Sequence, residues 1–144
     1  MKALTLWQPW ASLVGRGKHH ETRSWATHYR GPIAIHAALR KPVITDLTEQ
    51  TRKTVEHILG NSWRIELPLG AIIAVAHLAE CLPTNQIETD NVDLLLGNFN
   101  QGRWAWKLTD IHILSDPLPC KGTQGLWNVP EQINNKLVQI ERMI

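Results

Sequence analysis

WQPWASLVGRGKHHETRSWATHYR, residues 7–30, is the stretch on which the interpretation of the whole chain depends. Pro9 stands where the first turn of a helix tolerates proline, and apolar side chains then recur at helical spacing. Gly15 and Gly17 end this helix, because glycine adopts backbone conformations that other residues avoid. The pattern predicts a helix of about two turns. It also predicts a loop in which Lys18 approaches a ligand with no neighbouring Cβ in the way.

The chain after this loop has the spacing of an extended segment. Glu21, Arg23 and Trp25 alternate with Thr22 and Ser24, so a strand would place the first three side chains on one face. Flat apolar rings beside cations are what a nucleobase and its phosphate require. The pattern therefore predicts that this row of side chains faces a ligand.

Hydrophobic periodicity predicts the other strands. A near-continuous apolar run over residues 67–82 indicates a strand buried on both faces. Shorter alternating runs predict strands over residues 1–6, 32–37, 103–108 and 111–114, the last as the partner strand of the one before it. Residues 83–101 are polar and keep no period, so we expect a long loop there with one helical turn.

Two longer helices complete the predicted fold. One is amphipathic and spans residues 45–59, with Asp46 and Glu49 as a capping box, and the other is a C-terminal helix over about 129–144. Short strands with helices between them predict an α+β fold, a small, mostly antiparallel β-barrel with inserted and C-terminal helices. We expect one domain over residues 1–144.

Composition limits the possible functions. The 43% hydrophobic content is enough for a single core, and the formal net charge of +2 is too small to indicate nucleic-acid binding, so any basic surface must be local. Cys81 and Cys120 are too few for a disulfide framework and too far apart for a metal knuckle. No stretch is apolar enough to cross a bilayer, so we expect a cytoplasmic protein without membrane contact.

Several separated blocks of the sequence resemble one protein family. Residues 15–23, GRGKHHETR, with their K-x-x-E-x-R core, resemble the signature of the ASCH family. The flanking WQPWAS and RSW…YRG, the later LPLGAIIA and the closing KGTQGLW also resemble blocks of that family, in the same order over residues 3–128. The resemblance implies a PUA-like β-barrel, in a superfamily whose members largely bind RNA, some by capturing a single modified base in a cleft.

The predicted partner is accordingly RNA or another single-stranded nucleic acid, or a modified nucleoside, bound between the first helix and the barrel. Lys18 is expected on a phosphate or a base carbonyl, and Lys121 and Trp127 on the far wall of the cleft. Glu21 and Arg23 either read and brace the nucleotide or form a salt bridge that fixes the loop. The predicted nucleic-acid-binding residues are Trp7, Gln8, Trp10, Lys18, Glu21, Arg23, Ser24, Trp25, Arg30, Lys121 and Trp127.

An enzyme using the same cleft is the alternative hypothesis, with Lys18 and Glu21 as catalytic residues. A few relatives in the family are amidohydrolases acting on acetylated cytidine, and they carry a threonine three positions after the lysine. Here that position is Glu21, with Thr22 on the other face. A lysine that acts as a general base needs a lowered pKa, and the neighbouring carboxylate of Glu21 favours the charged lysine instead. Glu21 could itself act as a general base on a water molecule.

Histidines offer a second enzymatic alternative, a metal-independent ribonuclease, because their ordinary pKa lies near neutrality. Four of them are His19, His20, His28 and His36. Adjacent His19 and His20 would point apart in an extended chain and no cysteine joins them, so we predict no metal site and no cofactor. A protein-interaction adaptor is the third hypothesis.

Overall fold

The computed structural model describes residues 1–144 and contains six β-strands and five α-helices. The strands are β1 (Lys2–Leu6), β2 (His20–Arg23), β3 (Gly31–Ala37), β4 (Ala71–Pro83), β5 (Trp104–Pro119) and β6 (Leu126–Asn128). The helices are α1 (Trp10–Leu13), α2 (Glu49–Leu59), α3 (Trp63–Glu66), α4 (Asn91–Leu95) and α5 (Glu131–Met143). Single 3₁₀ turns lie at Ile44–Asp46 and Thr84–Gln86.

All six strands form one curled sheet in the order β2-β5-β4-β3-β1-β6. Only β1 and β3 run parallel, and every other neighbouring pair is antiparallel. Register shifts in the β3–β4 and β4–β5 pairs mark bulges, which bend strands and increase their twist. The predicted α+β fold with a mostly antiparallel sheet is confirmed, and the sheet is a half-barrel whose edges are β2 and β6.

The core lies on both faces of the central strands. Leu4, Ile35, Leu78 and Trp106 pack inside the curl, whereas Leu137 of α5 packs on the opposite face. The first six residues of β4 are all buried, which confirms the prediction of a doubly buried strand there. Full burial of one such aliphatic side chain contributes roughly 1.5–3 kcal/mol, so the central strands form a stable base for the loops at their ends.

Three predicted elements are wrong in detail. Residues 111–114 do not form a separate partner strand but continue β5, which has a register shift beside Asp110, where φ is 49°, and goes on pairing with β4. Helix α1 has a single turn, because Val14 already has an extended backbone. Helix α2 is capped by Thr48, whose side chain accepts a hydrogen bond from the Thr51 N–H, whereas Asp46 belongs to the preceding 3₁₀ turn.

A separate apolar cluster joins the short helices to the residues after α4. Its fully buried members come from four different segments and are Leu13, Val55, Trp63 and Leu96. This packing fixes α1 against residues 95–98, the two segments that face each other across one end of the sheet. No helix in the structure combines the length and the apolar composition that crossing a membrane requires.

Candidate functional site

Two adjoining cavities open at this end of the sheet. The Lys18 cavity has a volume of about 480 Å³ and is lined by Lys18, Glu21, Trp10, Arg103 and residues 95–98, among others. The His36 cavity has a volume of about 990 Å³ and is lined by Trp25, His36 and residues 120–125, among others. Thr5, Trp7 and Arg23 line both cavities. Each volume lies within the range typical of small-molecule sites, about 300–1,000 Å³.

The glycine-spaced loop places Lys18 at the bottom of its cavity. Gly15 and Gly17 have φ values of 80° and 111°, which a residue with a Cβ rarely adopts. The turn they form lets the Lys18 N–H donate to the Leu13 carbonyl at 3.1 Å. Consequently the side chain of Lys18 is only 2% exposed and faces the cavity rather than bulk solvent.

A chain of charges runs across the floor of the Lys18 cavity. The Lys18 ammonium donates to the Leu96 carbonyl at 3.0 Å and lies 3.3 Å from Glu21 Oε1. Glu21 Oε2 in turn lies 3.0 Å from Arg23 Nε, whose N–H is not aligned for a hydrogen bond, and Arg23 Nη2 donates to the Thr5 carbonyl at 2.8 Å. The predicted salt bridge between Glu21 and Arg23 is therefore present, and Lys18 extends it.

These charged groups retain capacity for a ligand. An ammonium has three N–H donors, and the one hydrogen bond that Lys18 Nζ makes within the protein goes to the Leu96 carbonyl, beside the Glu21 carboxylate. A carboxylate accepts at up to four lone-pair positions, so Glu21 can accept further hydrogen bonds beside its two cations. The cavity thus presents a donor and an acceptor side by side, next to the indole of Trp10.

The floor of the His36 cavity consists of hydrogen-bonded neutral groups, in contrast to the charged groups in the Lys18 cavity. His36 Nε2 lies 2.6 Å from the Cys120 carbonyl, so this nitrogen donates, and Nδ1 accepts from the Thr5 hydroxyl at 3.1 Å. Burial lowers the pKa of His36, which favours this neutral form, although the bond to Cys120 acts in the opposite direction. Trp127 donates its indole N–H to Thr5 at 3.1 Å and packs edge-on against His36.

Gly122 brings the closing loop onto this floor. A Cβ at Gly122 would lie 2.6 Å from His36 Cε1 and 2.7 Å from Thr5 Oγ1, closer than side-chain atoms can pack. Because His36 is held by two hydrogen bonds, it cannot move aside at little cost. Glycine is therefore required for residues 120–125 to form a wall of the His36 cavity.

Two exposed indoles stand at the cavities. Trp7 is 56% exposed, and the Arg40 guanidinium covers one of its faces at 4.0 Å while being held by Asp46 at 2.8 Å. Trp25 is 37% exposed and packs edge-to-face on buried Trp106, with ring centroids 4.8 Å apart. Such rings, fixed on one side and open on the other, are suited to stacking against a flat heterocycle.

The structure divides the predicted site residues into four groups. Trp7, Trp10, Lys18, Glu21 and Arg23 come together in the Lys18 cavity, whereas Trp25 and Lys121 lie on the His36 cavity with Trp7 and Arg23. Ser24 and Arg30 are exposed and line neither cavity. Gln8 and Trp127 are buried behind the walls.

The buried pair has clear structural roles. The Gln8 side chain donates to Ser12 Oγ at 2.7 Å and to the Pro68 carbonyl at 2.9 Å, which fixes the start of α1. Trp127 holds Thr5 in position through the hydrogen bond from its indole N–H. Sequence reasoning missed Thr5 as a site residue and considered His36 only among the histidines. Their contact depends on the parallel β1–β3 register, which pairs Thr5 with His36.

His19, His20 and His28 line neither cavity. His20 is buried against Asp93, with its Nδ1 2.7 Å from Oδ2, and His19 contributes its backbone N–H to the same carboxylate at 2.7 Å. This contact fastens the start of β2 to α4. The structure contains no group of three or more His, Cys, Asp or Glu side chains placed to hold a metal ion.

The structure is thus an α+β domain, a curled half-barrel with two adjoining cavities at one end of its sheet. A family model described as the ASCH domain matches residues 4–107, so the chain belongs to the ASCH domain family, as the sequence blocks predicted. Two crystal structures of the ASCH protein from Zymomonas mobilis share the fold. One, a point mutant, has a TM-score of 0.54 at 14% identity and covers 96% of both chains. The other has a TM-score of 0.55 at 15% identity and covers 96% of this chain and 93% of its own.

Among curated proteins, the chain is similar to activating signal cointegrator 1 from human and mouse. The human protein is 28% identical over 91% of this chain, and the mouse protein is 27% identical over the same share. The alignments cover 22% of each relative, so this chain spans about a fifth of the length of the curated proteins that it matches.

Proposed function

We propose that the protein binds nucleic acid, specifically single-stranded RNA, and takes one nucleobase into the Lys18 cavity. The observation that carries the proposal is the buried Lys18–Glu21 pair, which faces a cavity of nucleoside scale beside the indole of Trp10. Membership of the ASCH family and the fold shared with its members support this class of ligand. The same cavity would admit a modified nucleoside.

The geometry favours one division of roles between the charged residues. Lys18 is nearly inaccessible to solvent, so its free N–H suits a base carbonyl at the bottom of the cavity better than a chain phosphate. Glu21 would accept an N–H from the edge of the same base. Arg23 and Lys121 are accessible at the cavity mouths and supply positive charge for the phosphates.

Matched substitutions test this proposal. Lys18→Met and Glu21→Gln each remove one charge from the buried pair, and hydrogen bonds to charged groups contribute about 1.5–3 kcal/mol, so RNA affinity should fall about 10- to 150-fold. Lys53→Met and Glu49→Gln remove the same groups from an exposed pair on α2, with a separation of 3.4 Å, and serve as controls.

Fluorescence anisotropy with labelled single-stranded oligoribonucleotides measures the affinity, and circular dichroism verifies folding of each variant. The control variants should bind as tightly as the wild type. Folded Lys18→Met protein with wild-type affinity would show that the Lys18 cavity is not the binding site. Absence of RNA binding by the wild type would contradict the function itself.

Hydrolysis in the same cavity is a second candidate function, favoured by the position of the Glu21 carboxylate against the cavity. Glu21 would act as a general base on a water molecule, and Lys18 would polarise the substrate carbonyl. Incubation with labelled RNA and with acetylated cytidine tests for turnover, with Lys18→Ala as the inactive control. Stoichiometric binding without product formation would assign the protein as a binder.

A further inference from the structure

We infer that the two cavities hold two consecutive nucleotides of one strand, with Arg23 on the phosphate that joins them. The inference rests on the proposed function and extends it from a single captured base to a dinucleotide unit. Three features of the structure carry it: the shared border of the cavities, the free part of the Arg23 guanidinium, and the different chemistry of the two cavities.

The border between the cavities is formed by Thr5, Trp7 and Arg23, which line both. Consecutive nucleotides are joined through a single phosphate. A ligand with one base in each cavity must therefore place its linking phosphate at this border. Of the cationic residues around the cavities, Lys18 and Arg103 line only the first and Lys121 only the second, so Arg23 alone reaches both.

Arg23 also has donors to spare. Its Nη2 donates to the Thr5 carbonyl at 2.8 Å and its Nε lies 3.0 Å from Glu21 Oε2, so the guanidinium is held in position. Nη1 makes no hydrogen bond with the protein. A guanidinium held on one side with open N–H groups on the other is suited to a phosphate, because its planar fork matches two phosphate oxygens.

The buried floor of the His36 cavity has no free group to read a base edge, and its polar Thr123 and Gln124 lie on the exposed closing loop, whereas two indoles offer stacking surface. Trp7 and Trp25 both line this cavity and are 56% and 37% exposed. Both ring nitrogens of His36 are bonded within the protein. We therefore expect base preference at the nucleotide in the Lys18 cavity and little preference at its neighbour.

Calorimetric titration of the full chain with ribonucleoside 3′-monophosphates and with the full set of ribodinucleoside monophosphates tests the inference. The best dinucleotides should bind roughly 5- to 150-fold more tightly than the best mononucleotide, the gain expected from one stacked base. Dinucleotides that share the preferred base but differ at the other position should bind within a few-fold of each other.

Trp25→Ala should lower the ratio of dinucleotide to mononucleotide affinity to near one, and Trp25→Phe should retain most of the gain. Lys121→Glu, at an exposed position on the His36 cavity only, is a second variant that should lower the same ratio without risk to the core. Arg64→Ala, on the exposed face of α3, is the matched surface control.

The outcomes separate the two proposals. If mononucleotides bind as tightly as every dinucleotide, or if Trp25→Ala weakens both equally, the two-nucleotide inference is wrong and the single-base function stands. If neither kind of ligand nor single-stranded RNA binds, the proposed function is wrong. A dinucleotide gain that survives both Trp25→Ala and Lys121→Glu would place the second nucleotide outside the His36 cavity and overturn the inference.

Discussion

Replacing Asp93 by asparagine is expected to destabilise the fold by about 2 kcal/mol at neutral pH. Asp93 is fully buried, and its carboxylate accepts hydrogen bonds from the backbone N–H groups of His19 and His20, the His20 ring and the Thr89 hydroxyl. Burial raises the pKa of Asp93, but these hydrogen bonds and the charge of His20 outweigh burial and lower the pKa from 3.8 to about 2. Each pKa unit of this lowering corresponds to about 1.4 kcal/mol of stabilisation of the folded state with Asp93 ionised.

The pH dependence follows from the sign of this shift. Because the pKa of Asp93 is lower in the folded than in the unfolded state, its stabilisation is fully present above about pH 4 and is lost as the pH falls through about 2. Equilibrium urea unfolding of the wild type and Asp93→Asn, at pH 7 and at roughly pH 2.5, measures the difference. The deficit of the variant should shrink at the lower pH.

Asp116→Asn, at an exposed position in β5, is the matched control and should equal the wild type at both pH values. The physical account of Asp93 would be refuted by equal unfolding free energies of Asp93→Asn and the wild type at pH 7. A deficit that stays undiminished at acid pH would equally contradict it, because the ionised carboxylate would then not be its source.

Three further predictions concern the helix cap, the cavity floor and the charge at the cavity mouth. Thr48→Ala should lower the unfolding free energy by about 1 kcal/mol through loss of the α2 cap. Gln50→Ala, at an exposed position of the same helix, is the control and should unfold like the wild type in the same urea titration. Gly122→Ala should cost about 1–3 kcal/mol in thermal or urea unfolding, because its Cβ would collide with His36, and a variant as stable as the wild type would show that the floor is adaptable. Lys121→Ala should reduce the slope of log affinity against log salt for single-stranded RNA by about 0.7, and an unchanged slope would remove Lys121 from the phosphate contacts.

Local sequence patterns determined the elements whose physical cause is local. Gly15 and Gly17 predict a turn because their backbone conformations exclude most other residues, and the structure has positive φ at both. The apolar run within residues 67–82 predicts a buried strand because no polar side chain interrupts its first part, and β4 is buried there. Alternation likewise placed Glu21 and Arg23 on one face, where they form their ion pair.

Patterns failed where a single backbone angle or a competing cap decided the outcome. The irregularity at Asp110 has no sequence signature that distinguishes a bulge within one strand from a turn between two, so the pattern predicts two strands where the structure has only β5. Asp46 and Thr48 are both acceptable helix caps by residue type. Thr48 is the cap because the chain before it is already folded into a 3₁₀ turn.

The sequence by itself therefore determined the class of fold, the family and the charged row at the centre of the candidate site. Only the tertiary structure decided that these residues line two cavities with a common border. Lys18 meets the Leu96 carbonyl and Thr5 meets His36 across long stretches of chain, through packing of α1 on residues 95–98 and through the parallel β1–β3 register. Hydrophobic period specifies which face of an element is buried, but it does not specify which distant segment covers that face.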